Sequence, residues 1–143
     1  MENIINKINV EENNKLIANF MEYPYFLSDS GVDSWGDDDV ERWEVGFDDY
    51  CKVDELKFNS SWNWLMEVVD RIEKLGYDTL ISKGYAISNY GTYYVEIGRD
   101  FYMDEENKEV ILSFLTNSKI ESTYLAVRTF IKWYNGKKER GEL

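Results

Sequence analysis

The chain has 143 residues, of which 43% are hydrophobic and 16% aromatic, so it is long and apolar enough to bury a core. Its net charge of −12, with no histidine, disfavours direct binding to nucleic acid or anionic lipid, because phosphates are bound by clustered Lys and Arg. No apolar run approaches the ~20 residues of a membrane span, and the N-terminus lacks a signal-peptide pattern. A lone cysteine, Cys51, fits a reducing compartment. We expect a single cytoplasmic domain over residues 1–143.

The first predicted element is a helix over residues 10–21, in which apolar side chains recur on one stripe at helical spacing. Asn9 is placed to cap its start. Tyr23-Pro24 is placed to end it, because proline cannot continue the helical hydrogen-bond ladder.

Residues 28–50 differ from the rest of the chain in composition. They hold nine acidic residues and one basic residue, Arg42, and therefore carry −8 of the net charge. Their glycines and aspartates predict a loop-rich segment. Within it, Trp43, Val45 and Phe47 alternate with acidic residues and a glycine, which predicts a short half-buried strand.

The stretch SSWNWLMEVVDRIEKLGY, which begins at Ser60, predicts a helix whose apolar arc is wide enough to be buried on more than one flank. Ser60 or Ser61 supplies the N-cap, and Gly76 supplies the C-terminal stop. Trp62 falls on the apolar stripe and is predicted to be a core residue. Trp64 falls at the edge of the arc, where it can face the core or the surface.

Two further segments predict strands. Residues 83–98 predict a β-hairpin, because apolar residues alternate with others on both sides of the turn sequence SNYG. Residues 109–115, EVILSFL, fit a third strand or a helical turn by periodicity alone. The preceding DEENK is typical of a turn and favours the strand.

The last predicted element is a helix that begins after Ser118, which forms a capping box with Glu121. Asn135-Gly136 is typical of a helix stop, and residues 137–143 are predicted to be a short solvated tail. The order of these elements predicts an α+β fold. In it, a small antiparallel sheet of about three to four strands, including the 83–98 hairpin, packs against two or three helices.

Three stretches together carry a resemblance: NNKLIANFM (13–21), SSWNWLMEVVDRIEKLGY (60–77) and SKIESTYLAVRTFIKWYN (118–135). They resemble a group of small proteins from Bacteroidota genomes and their phages and mobile elements, which share an SSWDWLM…VVEKIE helix and a KIEA-Y-AVVEFIKWYN end. The resemblance covers about a third of the chain and implies a phage or mobile-element origin, without a mechanism. By analogy, small acidic viral proteins of that setting often inhibit host defence in the host cytoplasm.

The residue types that most catalytic sites require are missing or lack partners. Without histidine, the usual triads and most zinc sites are excluded, and Cys51 would lack an imidazole partner as a nucleophile. Glu55-Leu56-Lys57 and Glu106-Asn107-Lys108 match one piece of a metal-dependent nuclease site, but such triplets arise by chance in an acidic chain. Asp37-Asp38-Asp39 with Glu41 lacks the spacing of an EF-hand calcium loop. We therefore expect no catalysis, no metal and no cofactor.

The function that this sequence favours is non-catalytic binding to a basic, nucleic-acid-binding host protein, driven by electrostatic attraction and aromatic anchors. The predicted partner-binding residues are Trp35, Asp37, Asp38, Asp39, Glu41, Glu44 and Tyr50.

Two alternatives stay open. The first is a protein that sequesters a nucleotide signal on its many aromatic residues, which requires Lys83, Arg99 and Arg128 to converge on the anion. The second is an oligomeric viral accessory or structural protein, which would self-associate through the mixed face of the hairpin that carries Thr92 and Tyr94.

Overall fold

The computed structural model describes residues 7–23, 25–26, 51–84 and 91–143. The chain divides into two compact units, an N-terminal unit, Met1–Lys57, and a C-terminal unit, Phe58–Leu143. The single-domain organisation therefore stays a prediction. The predicted strand around Trp43 lies outside the described residues, as does the rest of the acidic segment up to Tyr50.

The N-terminal unit begins with helix α1, Lys7–Met21. The predicted cap was wrong, because Asn9 lies inside the helix; asparagines recur through this stretch, so the pattern alone does not select the first turn. The predicted end at Met21 is confirmed. Glu22 adopts a left-handed conformation with φ of 58°, and the amides of Glu22 and Tyr23 donate to the carbonyls of Asn19 and Ala18, which is a Schellman motif.

The rest of the described N-terminal unit consists of short elements. Strand β1, Tyr25–Phe26, pairs in parallel with strand β2, Cys51–Lys52, and a 3-10 turn, Val53–Glu55, follows. The turn lies against α1, where the Asn14 side-chain amide donates to the Leu56 carbonyl at 3.2 Å. Asn14 is only 2% exposed, so its buried side-chain amide needs this hydrogen bond.

The C-terminal unit carries the sheet. Helix α2, Trp62–Lys74, leads into strands β3, Asp78–Lys83, β4, Tyr93–Arg99, and β5, Glu109–Thr116, and the chain closes with helix α3, Lys119–Glu139. The strands form an antiparallel sheet in the order β3-β4-β5. Helix α2 lies against β3 and α3, and helix α3 lies against β4 and β5. These elements confirm the predicted α+β fold.

The core of this unit lies between the two helices and one face of the sheet. Val95 and Ile97 of β4 are fully buried there. The alternation of side chains along each strand assigns the other residues to the opposite face, here called the outer face: Leu80, Ser82, Tyr94, Glu96, Ser113 and Leu115. The core residues contributed by the helices are Leu65, Val68, Val69, Ile72, Tyr124, Leu125, Ala126, Val127, Phe130 and Ile131.

The ends of α2 follow the prediction. The Ser61 hydroxyl accepts from the Trp64 amide at 3.4 Å. At the other end, Gly76 has φ of 101°, and the amides of Gly76 and Tyr77 donate to the preceding turn. Glycine suits this position because it has no Cβ to oppose a positive φ.

The placement of Trp62 as a core residue was wrong. Trp62 and Trp64 are both half-buried. Trp62 is the first residue of α2, and the Lys119 ammonium lies 5.1 Å from its ring centroid; Trp64 packs edge-on against Phe58 at 5.0 Å. A helical stripe gives the direction of a side chain, but it does not tell whether the end of the helix reaches beyond the packed region.

The hairpin prediction holds for its second strand. Val95 and Ile97 alternate as predicted, whereas the first described strand begins earlier than expected, at Asp78, and residues 85–90 around the predicted turn lie outside the described residues. The choice of a strand for residues 109–115 is confirmed.

Helix α3 is longer than predicted. Its N-cap is confirmed, since the Ser118 hydroxyl accepts from the Glu121 amide at 3.2 Å. However, the helix continues through Gly136 to Glu139, so residues 137–139 are not a tail. It ends where Gly141 takes φ of 70°, because the residues after Gly136 are good helix formers and the second glycine supplies the left-handed stop.

Candidate functional site

The partner-binding residues predicted from the sequence lie outside the described residues. Their role stays a prediction, and the same holds for the aspartate run weighed as a calcium site. These positions are Trp35, Asp37, Asp38, Asp39, Glu41, Glu44 and Tyr50.

A second segment with the same chemistry lies within the described residues. Residues 100–107, DFYMDEEN, join β4 to β5 and hold four carboxylates and no basic residue; they are here called the acidic–aromatic loop. Tyr102 is 82% exposed and Met103 is 44% exposed, and all four carboxylate residues are exposed. The sequence had indicated only a turn here, although the pairing of an aromatic residue with a run of acids was visible in it.

Hydrogen bonds within the loop fix its backbone. Asp100 adopts a left-handed conformation with φ of 58°, and its carbonyl accepts from the Met103 amide at 3.0 Å. The Asp104 carboxylate accepts from both the backbone and side-chain amides of Asn107, at 3.1 and 2.7 Å. These bonds close a turn from Asp104 to Asn107, and Tyr102 and Met103, between the two aspartates, stay exposed.

A second set of contacts attaches the loop to the sheet. The Phe101 amide donates to the Asp78 carboxylate at 3.0 Å, and the Phe101 ring lies against Gly98, where a Cβ would come within 2.9 Å of it. Lys108 places its ammonium 5.0 Å from the centroid of the same ring. The loop therefore rests on an anchored aromatic residue, beside the exposed Tyr102.

Lys108 forms an ion pair within the protein, beneath the acidic–aromatic loop. Its ammonium lies 3.1 Å from a Glu96 carboxylate oxygen, and the two side chains are only 19% and 16% exposed. The hydrogen bond to Glu96 raises the pKa of Lys108 above its ordinary value. Because Lys108 is paired with Glu96, the four carboxylates of the loop keep their negative field toward solvent.

Arg99, at the end of β4, also interacts with a side chain of this chain, Tyr77. Its guanidinium donates to the Tyr77 hydroxyl at 3.0 Å and lies 4.8 Å from the Tyr77 ring centroid. Tyr77 in turn packs edge-on against Phe130 and Trp133, with centroids 4.9 and 5.8 Å apart. These contacts tie the end of β4 to α3, and the hydrogen bond to Tyr77 raises the pKa of Arg99.

The cations required for a nucleotide site do not converge. Lys83 pairs with Tyr93 at one end of β4, whereas Arg99 is at the other end. Six residues of extended strand separate these ends by roughly 20 Å. Arg128 is half-buried on α3, near the Tyr124 phenol. Lys83 and Arg99 are therefore too far apart to bind the same nucleotide.

The nuclease-like triplets have structural roles. A Glu55 carboxylate oxygen accepts from the Lys52 amide at 3.0 Å, and in the second triplet Lys108 pairs with Glu96. Across the described parts of the chain, no three His, Cys, Asp or Glu side chains are grouped so that they could hold a metal ion.

Comparison with known proteins finds no relatives: neither the protein-family models, nor the curated proteins, nor the solved structures include a match to this chain. Among the helices of the described residues, none combines the length and apolar character needed to cross a membrane.

Proposed function

We propose that this chain is a non-catalytic binding protein that docks on the basic surface of another protein, with the acidic–aromatic loop as one of its contact elements. The observation that carries this proposal is Tyr102, an aromatic side chain that is 82% exposed on a loop fixed by its own hydrogen bonds and flanked by exposed carboxylates. A structural role would bury that ring, and no contact of the described fold does so.

The chemistry of the loop selects a cationic partner. An Arg guanidinium can stack on the Tyr102 ring, a contact worth roughly 0.5–2 kcal/mol, while its neighbours pair with Asp104, Glu105 or Glu106. Tyrosine is also among the residues that most often carry the binding energy of an interface. Because the loop backbone is already ordered, little conformational entropy is lost on binding.

The acidic segment 28–50, with Trp35 and its aspartates, is proposed as a second contact element of the same composition. Together, the two segments would attract a nucleic-acid-binding protein of the host, whose phosphate-binding surface is basic by necessity. The resemblance to proteins of Bacteroidota phages supports an inhibitor of host defence as the specific form of this proposal.

The test is affinity capture of the tagged protein from a Bacteroidota lysate, followed by binding kinetics with the captured partner. We expect a basic protein that is retained at low salt and lost at high salt, because exposed charge pairs are screened. Tyr102→Ala should weaken its binding about tenfold, the loss expected for one interface anchor. Glu105→Gln with Glu106→Gln should slow association and flatten its salt dependence.

The matched control is Glu11→Gln with Glu12→Gln, an exposed pair on α1 that changes the net charge by the same amount. Neutralising Asp37, Asp38 and Asp39 to Asn tests the acidic segment in the same assay. The proposal for the loop is refuted if the loop variants bind the partner as the control does. The wider proposal is refuted if no basic protein is captured at low salt.

A further inference from the structure

We infer that strand β5 is a self-association edge, which pairs with β5 of a second copy of this chain to form one continuous antiparallel sheet. This inference is independent of the proposed docking on a basic protein, because it rests on a different surface. It starts from the position of β5 in the sheet and from its composition.

β5 is an edge strand. The sheet runs in the order β3-β4-β5, and within the described residues β5 pairs with β4 alone. It is eight residues long, Glu109–Thr116, and an edge strand of this length presents a row of backbone amides and carbonyls that can accept another strand.

Apart from a β-bulge near its start, β5 has no protective charged or proline residue after Glu109. Natural edge strands carry lysines, prolines or inward-pointing charges that prevent pairing, whereas β5, EVILSFLT, has one charged residue, at its first position. Val110 is 43% exposed and Leu115 is 53% exposed. The opposite edge, β3, differs, because its sequence DTLISK has a charge at each end.

The composition of β5 selects a second copy as the partner. Among the three strands of this sheet, β5 has the longest run of neutral residues, seven in succession, against four in β3 and three in β4. A basic protein finds no carboxylate along residues 110–116. A second β5 places neutral side chains opposite neutral side chains and avoids the like-charge repulsion that other surfaces of this acidic chain would create.

The register within the sheet shows which part of β5 can pair. A β-bulge interrupts the β4–β5 ladder between Ile97 and Gly98, while residues 112–116 pair regularly with β4. A two-fold axis through Phe114 would pair Ser113 with Leu115 of the second copy, both on the outer face. Outer-face residues then meet outer-face residues, as a continuous sheet requires.

The net charge gives this association a distinctive salt dependence. Two copies that each carry −12 repel one another, and added salt screens that repulsion without weakening the backbone pairing. We therefore expect the dimer to become tighter as salt rises. Docking on a basic protein has the opposite dependence, so the failure of one proposal is distinguishable from the failure of the other.

The experiment is light scattering and sedimentation of the full chain from micromolar to near-millimolar concentration, at low and high salt. The informative variant is Leu115→Lys, which adds the protective lysine to the edge at a position exposed enough to tolerate it. The matched control is Ser82→Lys, which lies in the same cross-strand row as Leu115 but on β3. Both variants add one positive charge and lower the repulsion equally.

We expect a dimer at high concentration that is strengthened by salt, abolished by Leu115→Lys and retained by Ser82→Lys. In the parent chain, those amides of residues 112–116 that point away from β4 should exchange more slowly as concentration rises. A monomer under all conditions overturns the inference. So does a dimer that survives Leu115→Lys, or one that both variants abolish equally.

Discussion

Gly98 provides a sharp test of the geometry that supports the acidic–aromatic loop. It is buried on β4 at the bulge, opposite Val110. A Cβ at this position would overlap the backbone carbonyl oxygen of Glu109 and lie 2.9 Å from a ring carbon of Phe101. The ring can rotate away, but the carbonyl is part of the β5 backbone and cannot. Gly98→Ala must therefore separate β4 from β5 at the base of the loop.

The size of the effect follows from what that separation breaks. To relieve the overlap, the two strands must move apart locally. This movement breaks the two backbone hydrogen bonds beside the bulge, and each lost bond lowers the free energy of unfolding by about 1 kcal/mol. Strain in the surrounding packing adds about 1–3 kcal/mol. Alanine also lowers the conformational entropy of the unfolded chain, which raises the free energy of unfolding by roughly 0.4–1 kcal/mol. The net expectation is a loss of about 3 kcal/mol in the free energy of unfolding.

The measurement is chemical denaturation, with thermal unfolding as a second readout, in which about 3 kcal/mol corresponds to a decrease in Tm of roughly 10 °C. The control is Gly91→Ala. Gly91 has φ of 84° but no atom within 4 Å of a built Cβ, so that variant incurs only backbone strain, about 1 kcal/mol. If Gly98→Ala is no more destabilising than Gly91→Ala, the bulge register is wrong, and the support for the loop falls with it.

Two further predictions concern α3. Ser118→Ala removes the hydroxyl that accepts from the Glu121 amide and should lower the free energy of unfolding by about 1 kcal/mol, whereas Ser118→Asp should restore it; equal losses in both variants would contradict a capping role. Burial raises the pKa of the Tyr124 phenol well above its ordinary value of 10.0. As pH rises, the unfolded chain therefore loses this proton at a lower pH than the folded chain does. The free energy of unfolding should fall above about pH 10, by up to ~1.4 kcal/mol per pH unit. Tyr124→Phe should reduce that slope in urea titrations between pH 8 and pH 11, and an unchanged slope would show that Tyr124 ionises in the folded protein as it does in the unfolded one.

The elements that the sequence predicts well are those whose ends are marked by local chemistry. Ser61 and Gly76 bracket α2 because a hydroxyl and a missing Cβ act on the nearest backbone groups, whatever the rest of the fold does. The end of α3 was mispredicted for a related reason. Gly136 and Gly141 are both possible stops, and Gly136 tolerates a helical conformation at a cost of only about 1 kcal/mol.

Features that depend on distant parts of the chain were not predictable in this way. Whether Trp62 is buried depends on how far α2 extends past the packed region, and whether Lys83 approaches Arg99 depends on the strand register. The acidic–aromatic loop was missed because its sequence is typical of a turn. Only the structure shows that Phe101 is anchored while its neighbour Tyr102 is exposed.

The distribution of charge around β5 links the two proposed surfaces. The loop that precedes β5 holds four carboxylates, and β5 itself, after Glu109, is neutral as far as Thr116. The half-buried pair of Glu96 and Lys108 adds no net charge to either. Ionic strength should therefore act on the two surfaces in opposite directions, weakening attraction at the loop and relieving repulsion at the edge. A basic partner that binds through the loop would also neutralise part of the negative charge that makes two copies repel each other. Binding at the loop and pairing at β5 should therefore favour each other at low salt. At high salt the repulsion is already screened, so this coupling should vanish.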